Sequence, residues 1–225
     1  MPIMRHQEIL QKMREGSGLI TFGNEECIEA CSYDLRIGTI IQGGRVTRDT
    51  DGAVDRGFEV LPGEIVTIIT LEEIRLPARV AGIAFAMNRW SSQGLLVLNP
   101  GHIDPGFAGP LSVKALNLRK TPITLRFHNP IFTILFFELA GDTDLPYPGG
   151  PKTRRDYERN FEERDREITP ASLGDLLRAT EGLPFVKEDQ LDSKLWRHMS
   201  TVLSLVFTGG GVVVAIIALI IALKK

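Results

Sequence analysis

Between residues 32 and 139 the chain is cut into short apolar runs by turn-forming residues, and this rhythm limits the fold more than anything else in the sequence. "SYDLRIGTII" sets Tyr33, Leu35 and Ile37 against Asp34, Arg36 and Gly38, the period of two of a strand with one face buried. "EIVTIITLEEIRLP" is a second such run, rich in β-branched residues, and "VAGIAFAM", "GLLVL", "LSVKALNL", "TPITLRFH" and "IFTILFFEL" follow it. Between them stand "LPGE", "NPGH", "DPGFAG", "KTP" and "HNP", each a place where Gly or Pro breaks regular structure. Many short strands at this spacing imply an all-β sandwich or barrel.

The two ends read differently. Residues 1–15 suit a short amphipathic helix stopped by "GSG", and they lack the basic-then-apolar pattern of a secretory signal. After Gly141 comes a loop, "DTDLPYPGGPKTRRD", then "TRRDYERNFEERDREI", whose charge density reads as a solvated helix or stalk. "PASLGDLLRATEGLP" is a short helix ended by Gly182 and Pro184. From Val202 to Leu223 no residue is charged. As a helix those 22 residues would reach about 33 Å, the hydrocarbon thickness of a bilayer. The stretch is apolar on every face, so a C-terminal membrane span is expected, with Trp196 at the interface. Lys194, Arg197 and His198 precede it and Lys224 and Lys225 follow, a nearly even count. The folded mass upstream carries no export signal, so the N-terminal domain is expected in the cytoplasm on a single-pass tail anchor. The expected layout is a β domain over 1–145, a charged helical connector over 146–200 and a transmembrane helix over 202–223.

Charge and cysteines exclude some functions. A net charge of −2 offers no basic stripe for nucleic acid. Cys27 and Cys31 have no second Cys/His cluster to complete a tetrahedral zinc site, and two cysteines suit a reducing compartment.

The stretch 99–110, "NPGHIDPGFAGP", crowds glycines and prolines around one carboxylate, Asp104, with His102 and Phe107 beside it. A bend of this kind lets backbone groups approach a ligand where Gly101, Gly106 and Gly109 carry no Cβ. Asp104 reads either as a ligand-facing acid or as an Asx-turn residue that holds the bend through its own backbone.

Four blocks, "SYDLRIG", "LPGEIVTIITLEEIRLP", "RWSSQGLLV" and "GHIDPGFAGPLSVKALN", in that order, resemble the dCTP deaminase/dUTPase family over about residues 1–150. The resemblance implies a distorted β-barrel that assembles as a homotrimer. It further implies sites between subunits for a pyrimidine deoxynucleoside triphosphate, with Mg²⁺ on the phosphates and no metal held by the protein alone. Carried over by position, Phe107 lies against the deoxyribose, and Asp104 sits near the sugar 3′-OH and orients water in the hydrolases. Ser91 and Ser92 bind phosphates, with Arg89 able to pair with one. Tyr147 in "PYPGGPKTRRDY" reads as a stacking residue on a lid or as part of a polar connector.

The likeness fails at one reaction centre. The deaminases activate water with a glutamate at the position held here by Lys114, and the arginine shortly after their serine pair is missing from "SSQGLL". An ammonium cannot accept the proton of attacking water, so dCTP deamination is not expected. Hydrolysis of dUTP to dUMP and pyrophosphate through Asp104 is still chemically open, with Lys114 at the base end, where it alters the base accepted or closes the pocket by pairing with Asp104. The residues leave turnover undecided. The alternative is a catalytically inactive nucleotide sensor, or a trimeric scaffold, acting at the membrane.

Overall fold

The computed structural model describes residues 2–179, apart from 16–17, 54–56, 99 and 168–170. Helix α1 (His6–Arg14) leads into eleven strands: β1 (Ile20–Thr21), β2 (Tyr33–Gln42), β3 (Arg45–Arg48), β4 (Phe58–Val60), β5 (Ile65–Arg75), β6 (Val80–Ala86), β7 (Leu95–Val97), β8 (Gly101–Ile103), β9 (Ala108–Asn117), β10 (Ile123–Leu125) and β11 (Pro130–Glu138). A short helix, α2 (Asn88–Ser92), interrupts them between β6 and β7, and α3 (Arg154–Glu167) and α4 (Leu173–Ala179) follow. The chain divides into two units, Met1–Leu176 and Leu177–Lys225, and the sheet, α3 and the candidate site all lie in the first.

The domain is mainly β, as the sequence leads one to expect. Nine strands form one antiparallel sheet whose path runs β7-β9-β5-β2-β11-β6-β8, with β1 on β5 and β3 on β2; β4 and β10 pair separately. That path stays open, with β7 and β8 at its ends. One face carries the core, in which Tyr33, Leu35, Ile37, Ile40, Ile68, Phe132 and Phe136 are fully buried. Each buried side chain of this size contributes about 1.5–3 kcal/mol relative to exposure.

A shift of register in β5 between Ile69 and Glu73 makes room for a buried acid. Glu72 is fully buried and accepts hydrogen bonds from Arg36 Nε (2.6 Å), Arg36 N (2.8 Å) and Tyr33 Oη (3.2 Å). Burial raises its pKa above the ordinary glutamate value despite these donors, and burial likewise raises that of Tyr33.

Over β2, β5 and β9 the opposite face is covered by α3. Along β5 every residue from Val66 to Thr70 is buried, and along β2 every residue from Ile37 to Ile41, so both faces are shielded there. Ile41 and Ile69 are fully buried yet stand outside the core cluster, on the side where α3 packs on β2, β5 and β9. The charge-dense segment is therefore not a stalk in solvent. It is a helix whose Glu158 and Asp165 are buried against the sheet, because threonines and basic side chains on the strands receive them. Among the described residues no helix is long and apolar enough to cross a membrane, and the expected span over 202–223 lies outside them.

Candidate functional site

The bend after β8 is built from backbone hydrogen bonds. Gly106 N donates to Leu76 O (2.9 Å), Phe107 N to Asp104 O (3.2 Å) and Leu76 N to Phe107 O (2.9 Å). Among the described residues no backbone N–H of the bend donates to the Asp104 carboxylate, so the Asx-turn reading finds no support in the geometry. The carboxylate is about half exposed, with His102 Nε2 3.7 Å away.

The glycines serve a different purpose from the expected approach to a ligand. Gly106 has φ +85°, and a Cβ there would stand 2.9 Å from Pro146 Cβ; at Gly109 it would stand 3.0 Å from Lys152 O. The chain's own segment 146–152 fills that space, tied down by Tyr147 N to Pro105 O (2.7 Å) and Lys152 N to Ala108 O (3.0 Å). Only at Gly101 is the space open. The strap brings Tyr147 edge-on to Phe107, ring centroids 5.3 Å apart at 64°.

Together these residues make a cleft of about 220 Å³ lined by His102, Asp104, Phe107, Ser112, Tyr147 and Tyr157, among others. An adjoining hollow of about 300 Å³, sharing Pro100 and Ser112, is lined by Lys114, Leu98 and Phe161 as well. Asp104, Phe107 and Tyr147 thus meet at one end and Lys114 stands at the other. Ser112, Tyr157 and Phe161 were not evident as site residues from the sequence. The one signal for the aromatics was their i, i+4 spacing in an otherwise charged helix, which sets them on one face. Burial raises the Tyr157 phenol above its ordinary range.

Lys114 does not pair with Asp104. Its ammonium donates to Asp165 Oδ1 (2.5 Å) and Thr67 Oγ1 (2.6 Å), while Thr67 Oγ1 donates to Asp165 Oδ2 (2.8 Å). Thr67 and Lys114 are direct partners in the β5–β9 register, which is why one carboxylate from α3 reaches both.

Arg89, Ser91 and Ser92 lie on or at the end of α2, and none of them lines the cleft of their own chain. The Arg89 guanidinium donates to Pro130 O and lies 5.1 Å from the Trp90 ring centroid, and Ser92 Oγ donates to Arg89 O (2.9 Å). Among the described residues no cluster of three or more His, Cys, Asp or Glu side chains forms a ready metal centre. The single carboxylate in the cleft fits a cation brought by a ligand's phosphates better than a resident one.

The dCTP deaminase-like family matches residues 3–139, and the chain belongs to it. It is 30% identical over 128 residues to the dCTP deaminase of Pyrococcus furiosus, covering 56% of this chain and 79% of that protein. It is 35% identical over 95 residues to the dUMP-forming dCTP deaminase of Corynebacterium glutamicum strain R, covering 42% of this chain and 50% of that one. Among solved structures it is similar to the deaminase for 2′-deoxycytidine 5′-triphosphate from Agrobacterium tumefaciens, with TM-score 0.46, 19% identity, and coverage of 60% of this chain and 47% of that chain. It is also similar to the EIAV dUTPase, with TM-score 0.36, 19% identity, and coverage of 60% of this chain and 94% of that chain.

Proposed function

We propose that this chain binds a pyrimidine deoxynucleoside triphosphate in the Asp104 cleft and hydrolyses dUTP to dUMP and pyrophosphate. The observation that carries the reading is the Asp104 carboxylate, which the bend does not use and which faces a cleft walled by Phe107 and Tyr147. In this reading Phe107 lies on the sugar, where a 2′-hydroxyl would clash, and Asp104 accepts a proton from water aligned on the phosphate chain. A Mg²⁺ ion bound to the nucleotide's phosphates would offset their charge, with Asp104 the one carboxylate among the described residues that lines the cleft and can face it.

The serine pair enters only from another copy. Because Arg89, Ser91 and Ser92 do not line their own chain's cleft, a homotrimer in which α2 of one subunit meets the cleft of the next is the assembly this reading requires. Deamination of dCTP is not part of it, since the position where the family's deaminases carry glutamate holds Lys114, already paired to Asp165. That pairing also favours a second reading, a catalytically silent nucleotide sensor or trimeric scaffold. In either case the 22 uncharged residues over 202–223 support a single membrane span following the nucleotide-binding domain.

The test uses the full chain in mild detergent with Mg²⁺ and each deoxynucleoside triphosphate in turn, products being resolved by chromatography. The expected result is dUMP from dUTP, no deaminated product from dCTP, and turnover abolished in Asp104→Asn with nucleotide binding retained. Unchanged turnover in that variant removes Asp104 from its role, and no product from any nucleotide leaves the sensor or scaffold.

A further inference from the structure

The contact between α3 and the sheet is anchored by buried polar pairs, which a helix packed on strands does not ordinarily need. Glu158 accepts from Thr39 Oγ1 (2.6 Å) and Arg48 Nε (2.9 Å), and Asp165, seven residues on, accepts from Thr67 and Lys114. Tyr157, just before the first anchor, lies over the cleft, and Phe161, between the two, lies over the hollow beside it, with Lys114 Nζ 5.7 Å from the Phe161 ring centroid.

Two points follow from the chemistry. First, an ammonium and a hydroxyl converging on one carboxylate form a donor set that would equally hold a carbonyl or anionic oxygen of a bound molecule. Asp165 occupies that set from within the chain. Second, an interface anchored by buried carboxylates is held less firmly than an apolar one, because desolvating the charges offsets much of their attraction. A 14-residue helix has little stability once its packing is removed. The fold has therefore placed an internal ligand at the Lys114 end on an element that can leave.

Resting on the reading of the cleft as a pyrimidine nucleotide site, we propose that α3 is an autoinhibitory cap. Asp165 is a tethered competitor for the position where the base would meet Lys114 and Thr67, and nucleotide enters fully only when α3 lifts from the sheet. The strength of the α3 latch then sets nucleotide affinity. Loosening it at Glu158, which does not line the cleft, acts in the same direction as removing the competitor itself.

The experiment compares the full chain with the Glu158→Gln/Asp165→Asn double variant. The probe is a non-hydrolysable α,β-imido analogue of dUTP, its binding followed by calorimetry and α3 by amide hydrogen exchange. The expected results are about tenfold tighter binding by the variant and faster exchange over residues 154–167 when the wild-type chain takes up the analogue. Analogue binding that leaves wild-type α3 exchange unchanged overturns the cap, as does a variant with a loosened α3 and unaltered affinity. In both cases the nucleotide reading stands. Failure of the analogue to bind either protein overturns the nucleotide reading and the cap with it.

Discussion

Replacing Arg36 by methionine isolates the most costly polar arrangement in the core. The Glu72 carboxyl group has no exposed side-chain surface and Arg36 little, and their contact is 2.6 Å. Methionine keeps much of the aliphatic packing but removes the charge, leaving the carboxylate with Arg36 N and Tyr33 Oη alone. Breaking a buried pair by removing one partner costs about 3–5 kcal/mol. Glu72 can escape part of that cost by taking up a proton, and this fixes the pH dependence. Its folded pKa already lies above the ordinary glutamate value, so the folded state binds the extra proton and stability falls as pH rises from that value through the raised one. Loss of Arg36 extends the window upward, and each unit of extension is worth about 1.4 kcal/mol. Urea unfolding at pH 5 and pH 8, at equal protein concentrations, is the assay. The destabilisation by Arg36→Met is expected to be about 3–5 kcal/mol at pH 8 and smaller at pH 5, where Glu72 can be protonated in the folded state. Equal losses at the two pH values, or a pH difference that persists when Glu72→Gln is added, would refute the reasoning.

Two further outcomes follow from the site. Gly106→Ala places a Cβ at positive φ and 2.9 Å from Pro146, so the variant should lose about 1–2 kcal/mol from backbone strain alone. It should also release the 146–152 strap, read as faster trypsin cleavage after Lys152, and unchanged cleavage would show that the strap is not held there. Lys114→Glu should not create a dCTP deaminase, because the new carboxylate faces Asp165 in place of its cation. No ammonia should be released from dCTP, and the variant should unfold at lower urea than the wild-type chain, because two carboxylates now face each other at the α3 contact.

The strands were legible because their alternation and their Gly/Pro punctuation are local signals. "SYDLRIGTII" became β2 and "EIVTIITLEEIRLP" became β5, each within a residue or two at its ends. Hairpin β2–β3 was overlooked although Gly43-Gly44, both at positive φ, is the type of dipeptide a two-residue hairpin turn requires. The covering of the second face by α3 was misread for a physical reason. Charge on "TRRDYERNFEERDREI" suggests solvent, and nothing local reveals that two of its carboxylates will meet threonines and a lysine far earlier in the chain. A signal did exist in the strands, since "VTIIT" and "IGTII" carry no polar alternation and so imply two buried faces.

At the site, the bend and its acid were readable from "HIDPGFAG", but the geometry gives Gly106 and Gly109 to the chain's own strap rather than to a ligand. Lys114 stood out as a departure from the family pattern, yet its partner could not be read from spacing. Asp165 is 51 residues away and reaches Lys114 only through helix packing. Arg89, Ser91 and Ser92 are adjacent to one another in sequence and apart from the cleft in the fold, a separation that only the structure discloses.

The central claim is that the cleft beside Asp104 and Phe107 holds a pyrimidine deoxynucleotide. It is tested most directly by titrating the full chain with non-hydrolysable dUTP and UTP analogues in Mg²⁺ by calorimetry. Because Phe107 would lie against the sugar where a 2′-hydroxyl must fit, the account predicts that the deoxy analogue binds at least about tenfold tighter and that Phe107→Ala removes the difference. Equal binding of the two analogues, or binding of neither, would contradict it.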